Sequence, residues 1–210
     1  MRVAILGGTG SFGRALAMRL VAAGEDEVVI GSRDESRAGA TAAELGSGVT
    51  GASNTDAVAG ADLAVLAVKA DAAVETAREI AVALGRTPLL VVASELGFSR
   101  DGVRPDPDAR SVAERIQELV EAPVAAGLHS LAASNLEHAA PEQDALVCGD
   151  DETAKELALA VAARVVAGRA LDAGPLAGAR TLEGLTAVIV NLNRRYRAHA
   201  GITVTGIPAA

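Results

Sequence analysis

Tryptophan is absent from this 210-residue chain, and Phe12, Phe98 and Tyr196 are its only aromatic residues. The core must therefore be aliphatic, and so must most of any surface that stacks on a planar ligand. A lone cysteine, Cys148, excludes an intrachain disulfide and a thiolate metal cluster. No apolar run approaches the roughly 20 residues of a membrane span. The opening Met1-Arg2-Val3-Ala4-Ile5-Leu6 passes straight into glycines, without the layout of a signal peptide. A long basic stripe is missing as well. The net charge of −8 repels polyphosphate backbones, and Arg194-Arg195-Tyr196-Arg197 is the single local exception. The expectation is a cytoplasmic protein with neither a nucleic-acid nor a membrane partner.

What the chain does have is aliphatic bulk: half of its residues are hydrophobic, enough for one good-sized domain or one domain with a small appendage. Apolar runs of strand length alternate with amphipathic stretches of helix length. Strands are expected at 3–6, 28–30, 48–52, 63–68, 89–93, 124–128, 145–148 and 169–171. Helices are expected at 11–23, 34–45, 71–84, 110–121, 151–166 and 176–197, the last opening after Pro175. Residues 94–108, with Gly97, Gly102, Pro105 and Pro107, read as a long loop, and 129–144 as a second irregular stretch. Repeated strand–helix units imply an α/β fold, a Rossmann-type doubly wound and mainly parallel sheet, with a small C-terminal α/β extension ending in a long helix. The division expected is a dinucleotide-binding domain over 1–128 and a smaller substrate and dimerisation region over 129–210. The final helix carries Leu182, Leu185, Val188, Ile189 and Leu192 on more than one face. Either a homodimer covers it or it lies buried at the edge of its own domain.

The most informative motif is Gly8-Thr9-Gly10-Ser11-Phe12-Gly13, preceded by Gly7. A bare GxGxxG means little, but this one follows a buried strand and opens an amphipathic helix. Gly8 suits the tight turn, Gly10 lets the backbone approach a pyrophosphate, and Gly13 lets helix and strand pack closely. The helix N-terminus then offers free N–H groups and partial positive charge to the phosphates. Specificity is read at the end of the second strand, where an NAD site places Asp or Glu on the ribose 2′-hydroxyl. Here the chain reads Gly31-Ser32-Arg33, with Arg37 one helical turn beyond Arg33. A serine and two guanidinium groups suit a 2′-phosphate, so NADP(H) is expected. Asp34 is the one residue against this, unless it caps the second helix.

Several segments are similar to the F420-dependent NADP reductases: Leu6-Gly7-Gly8-Thr9-Gly10 with Gly31-Ser32-Arg33, Leu128-His129-Ser130, and Val147-Cys148-Gly149-Asp150-Asp151. So are Leu171-Asp172-Ala173-Gly174-Pro175-Leu176 and the stretch Asn193 to Ile202. The matches run in order from end to end. The resemblance implies hydride exchange between NADP(H) and the deazaflavin coenzyme F420 as second substrate. It places Thr9, Gly10, Ser11 and Phe12 on the pyrophosphate and Ser32, Arg33 and Arg37 on the 2′-phosphate. It places Ala70, Val74 and Ala133 along the adenosine and nicotinamide sides. Val68-Lys69-Ala70 and Ala93-Ser94-Glu95-Leu96 depart from some relatives, which carry Ile-Pro-Trp and Ser-Pro-Leu there.

Hydride transfer between two bound rings needs positioning more than an acid–base pair, so no catalytic signature is required. His129, just past a strand's C-terminal end, is either a group that donates to the acceptor ring or orients nicotinamide, or a loop histidine bonded to backbone; Ser130 shares that choice. Cys148 reads as a buried inert thiol, Asp150 and Asp151 as helix caps, and no metal site is expected. Arg194, Arg195 and Arg197 are either a solvated helix end or contacts to the anionic F420 tail or a dimer partner. Competing readings are an NADPH-dependent flavin or ferric reductase and a non-catalytic NADP-sensing module. A short-chain dehydrogenase is disfavoured, because Tyr196 has Ala200, not lysine, four residues on.

Overall fold

The structure is a computed structural model that describes residues 1–24 and 27–207. Its strands are β1 Arg2–Leu6, β2 Glu27–Ser32, β3 Val49–Ser53, β4 Leu63–Leu66, β5 Leu89–Val91, β6 Leu96–Ser99, β7 Gly102–Pro105, β8 Val124–Gly127, β9 Ala145–Gly149 and β10 Ala170–Asp172. The α-helices are α1 Ser11–Ala23, α2 Glu35–Leu45, α3 Asn54–Ala57, α4 Ala70–Leu84, α5 Val112–Gln117, α6 Ala133–Leu136, α7 Glu152–Val165 and α8 Ala179–Tyr196. Eight strands form one sheet in the order β10-β9-β8-β5-β4-β1-β2-β3. All neighbours are parallel except β8 and β9. The half 3-2-1-4-5-8 is thus a doubly wound parallel sheet, and β9-α7-β10 continues the same sheet in the opposite direction.

Alternation of side chains along buried strands explains the three layers. Ala4, Leu6, Ala64 and Leu66 face one side, with Ala73, Ala77 and Ile80 of α4, Val112 and Ile116 of α5 and Leu182 of α8. Val3, Ile5, Leu63 and Val65 face the other, with Leu16 and Leu20 of α1, Ala38 of α2 and Val161 and Val165 of α7. The aliphatic core expected from the scarcity of aromatics is therefore built on both faces of one sheet.

Residues 94–108 are not the featureless loop expected from their glycines and prolines. They hold the antiparallel hairpin β6–β7. Asn191 of α8 closes on Val103, accepting from its N–H at 2.9 Å and donating to its carbonyl at 2.8 Å. The return from the hairpin is anchored by Arg180, which donates to the Asp106 carbonyl and to Glu183 Oε2 at 2.7 Å. Glu183 is buried, and its Oε1 accepts the Val112 N–H at 2.7 Å. The final helix is shorter than expected, because Leu176–Gly178 is a separate 3-10 turn. Asp151 caps α7 through the Ala154 N–H at 2.9 Å. Asp150 does not act as a cap; its Oδ1 accepts from Leu176 N at 3.0 Å and holds that turn to the end of β9. Among the described residues no helix is long and apolar enough to cross a membrane.

Candidate active site

β1 ends in a glycine turn whose shape is fixed by hydrogen bonds inside the fold. The N–H groups of Gly7 and Gly8 both reach the Gly31 carbonyl, at 3.0 and 3.1 Å, tying the turn to β2. Gly7 has φ +77, a left-handed conformation that penalises any side chain. Gly13, on the first turn of α1, has no room for a methyl group: a Cβ there would lie 2.7 Å from Gly8 Cα and 2.8 Å from the Gly7 carbonyl oxygen. Helix and turn can touch only because residue 13 is glycine.

Among the described helices α1, α4, α6 and α8 begin without a side-chain cap, and two of these ends matter here, those of α1 at Gly10 and α4 at Lys69. Asp34, Ser111 and Asp151 cap α2, α5 and α7. These two ends line a groove of about 1010 Å³ along the C-terminal edge of the sheet. Free N–H groups there suit an anion. The groove is lined by Gly7, Thr9, Gly10, Ser11 and Phe12, by Ser32, Arg33 and Arg37 and, opposite them, by Val68, Lys69, Asp71, Ala72 and Thr76.

The charge pattern at the end of β2 is favourable to a phosphate. Arg33 and Arg37 are exposed, and among the described residues neither is paired with a carboxylate. Asp34, the residue that argued for NAD, also lines the groove, where its Oδ1 accepts the Arg37 N–H at 3.2 Å as the cap of α2 and two guanidinium groups outnumber its charge. Ser32 Oγ accepts the Asp34 N–H at 3.1 Å, so the hydroxyl hydrogen remains available to a ligand.

Farther along the edge, the ends of β5 and β8 are joined by polar contacts. His129 Nε2 lies 3.2 Å from the Ala93 carbonyl, which can only accept, so Nε2 carries the hydrogen. Burial pulls the imidazole down to about 4, so it is neutral near pH 7. Thr186 Oγ1 of α8 donates to the His129 carbonyl at 2.9 Å, which makes Ser94 the donor in the 2.9 Å contact between Ser94 Oγ and Thr186 Oγ1. The Ser130 hydroxyl donates to the Asp144 carbonyl at 3.3 Å. Cys148 is buried, with its thiol pushed up to about 12 by desolvation.

Of the residues singled out from sequence, Thr9, Gly10, Ser11, Phe12, Ser32, Arg33 and Arg37 come together in the groove, while Gly8 and Gly13 shape it from behind. Ala70, Val74 and Ala133 pack partly buried against the two cores and do not line it. Lys69 and Ser94 were noted from sequence only as departures from some relatives, and Asn54, Thr76 and Thr186 were not read from it. Asn54, Ser94 and Thr186 sit among small residues at strand or helix ends, where only the folded neighbours reveal a role.

The doubly wound sheet, the glycine turn under an uncapped helix and the guanidinium pair together define a dinucleotide-binding oxidoreductase of the Rossmann type. A family model described as NADP oxidoreductase, coenzyme F420-dependent, matches residues 2–94. The chain is 36% identical to the F420-dependent NADP reductase of Methanothermobacter thermautotrophicus, over 99% of this chain and 96% of that protein. It is 30% identical to the reductase of the same name from Methanocaldococcus jannaschii, over 99% of each. The crystal structure of a putative F420-dependent NADP reductase from Arthrobacter sp. FB24 superposes with a TM-score of 0.82 at 28% identity, covering 98% of this chain and 100% of that one. The chain belongs to the family of F420-dependent NADP reductases.

Proposed function

We propose that this protein exchanges a hydride between NADP(H) and coenzyme F420. The observation that carries the reading is the end of β2, where Ser32, Arg33 and Arg37 face the groove and the adjacent carboxylate, Asp34, is occupied as a helix cap. Thr9, Gly10, Ser11 and Phe12 hold the pyrophosphate at the uncapped start of α1, and the three polar residues of β2 and α2 take the 2′-phosphate. We place Ala70, Val74 and Ala133 behind the adenosine and nicotinamide walls. When both are bound, the nicotinamide supplies or receives the hydride and the deazaflavin carries it at its position-5 carbon. His129 and Ser130 are assigned to positioning, because their polar groups fasten the chain at the ends of β5 and β8 and the start of β9, beside which the two rings would be held.

Mixing the protein with NADPH and F420 and following the deazaflavin absorbance tests this directly; loss of absorbance is expected. No change with F420 but turnover of FMN or ferric ion would favour a flavin or ferric reductase. Cofactor binding without turnover of any acceptor would favour a sensing module.

We further assign the chain to the cytoplasm and to a homodimer, with residues 1–128 binding the dinucleotide and 129–210 serving the second substrate and the subunit contact. Support for the dimer comes from α8, where Val188, Leu192 and Tyr196 stand one turn apart and are 53%, 41% and 68% exposed. Leu192→Glu is expected to halve the mass measured by light scattering while leaving the melting temperature within a few degrees. An unchanged mass would remove this face from the interface.

A further inference from the structure

Asn54 is a polar side chain with no partner in a place that has no other use for one. It is the first residue of α3 and is 7% exposed, yet its Oδ1 is buried without a hydrogen bond. Its amide lines the groove together with Ser32 and Arg33. The position follows from the register of the sheet: Ser32 at the end of β2 pairs with Ser53 at the end of β3, so the next residue lies beside the 2′-phosphate group of residues. Gly31 makes the room, since a Cβ there would stand 3.0 Å from Asn54 Oδ1. Ser53 is already spent on α3, accepting the Asp56 N–H at 3.1 Å and donating to Asp56 Oδ2 at 2.6 Å. That leaves Asn54 as the uncommitted group on this side of the strand ends. Oδ1 lies against Gly31 and, as an acceptor, cannot take a phosphate; the amide nitrogen, also without a partner among the described residues, is the end that a ligand in the groove can engage.

We infer that Asn54 is a specificity-determining residue that donates an amide N–H to the adenosine 2′-phosphate from the β3 side, opposite Arg33 and Arg37. The inference rests on NADP(H) occupying this groove. A neutral donor adds a hydrogen bond to the anionic 2′-phosphate, whereas a carboxylate of the same shape would repel it and accept from a 2′-hydroxyl instead. Residue 54 would then choose between the two dinucleotides by the chemistry of its terminal atoms alone.

Calorimetric titration of wild type, Asn54→Ala and Asn54→Asp with NADPH, NADH and 2′,5′-ADP tests this without any turnover. Asn54→Ala should weaken NADPH and 2′,5′-ADP by the same factor, roughly 10-fold, and change NADH by less than about 2-fold. Asn54→Asp, which conserves shape, should weaken NADPH by about 100-fold and leave NADH equal or tighter, with the ligand-free melting temperature recorded alongside to separate binding from folding. Equal losses of NADPH and NADH in Asn54→Ala, or wild-type NADPH affinity in Asn54→Asp, would overturn the assignment while leaving the cofactor reading intact. A wild-type protein without any preference for NADPH would overturn both.

Discussion

Replacing Arg33 by alanine should weaken NADPH by 10- to 100-fold and leave NADH nearly untouched, because a charge-assisted hydrogen bond contributes roughly 1.5–3 kcal/mol and only NADPH carries the phosphate that receives it. The guanidinium is exposed in the free protein and among the described residues has no carboxylate partner. Its removal therefore leaves no buried charge uncompensated, and the melting temperature without ligand should stay close to wild type. Titrating both dinucleotides into both proteins checks the point. Equal losses would mean that Arg33 shapes the groove mechanically and that charge is not what selects the cofactor.

The second large effect concerns stability. Asp144, buried at the start of β9, accepts from Arg169 N at 2.9 Å, from Arg169 Nη2 at 2.6 Å and from Val204 N at 2.8 Å. One carboxylate thus fastens the β10 strand entry and the C-terminal tail, and Arg169 reaches on to the carbonyls of Val204 and Ile207. Asp144→Ala strands these donors and should lower stability by on the order of 3 kcal/mol, read from chemical denaturation. A loss below about 1 kcal/mol would show that water satisfies them equally well.

Acid should lower the stability of the protein in two stages, each with a sign fixed by linkage. His129 is depressed from 6.5 to about 4 by burial. Between those values the unfolded chain binds a proton that the folded chain refuses, so stability falls as pH drops below 6.5. Asp144 is held below its ordinary 3.8 by Arg169 and the Val204 N–H, so its contribution is present above that value and fades as pH falls further. His129→Gln should abolish the first stage and keep the second. A denaturation midpoint that stays flat from pH 7 to pH 4 in the wild type would contradict the buried neutral histidine.

The first half of the fold was readable because its signals are local. The glycine turn, the uncapped α1 and Ser32-Arg33 lie within 33 residues of the start, and each announces itself through neighbours in sequence. The hairpin β6–β7 was hidden because Gly97, Gly102 and Pro105 dominate the local signal, while the group that orders it, Asn191, is 88 residues away. Distance misled the reading of Asp150 too. As one of two adjacent aspartates before a helix it looks like a cap, and only the folded chain brings Leu176 N to it. Thr186 and Ser94 carry no motif, and their contact spans 92 residues. Gly31 explains why Asn54 escaped notice, since an asparagine after a strand says nothing until the facing strand offers it a space.

The selection of NADP(H) at the end of β2 is best tested by titrating the unmodified protein with NADPH and NADH under identical salt. Dissociation constants at least about 10-fold lower for NADPH are expected from one charge-assisted contact alone. Equal constants, or no heat with either dinucleotide, would contradict selection of the cofactor by the Arg33 guanidinium.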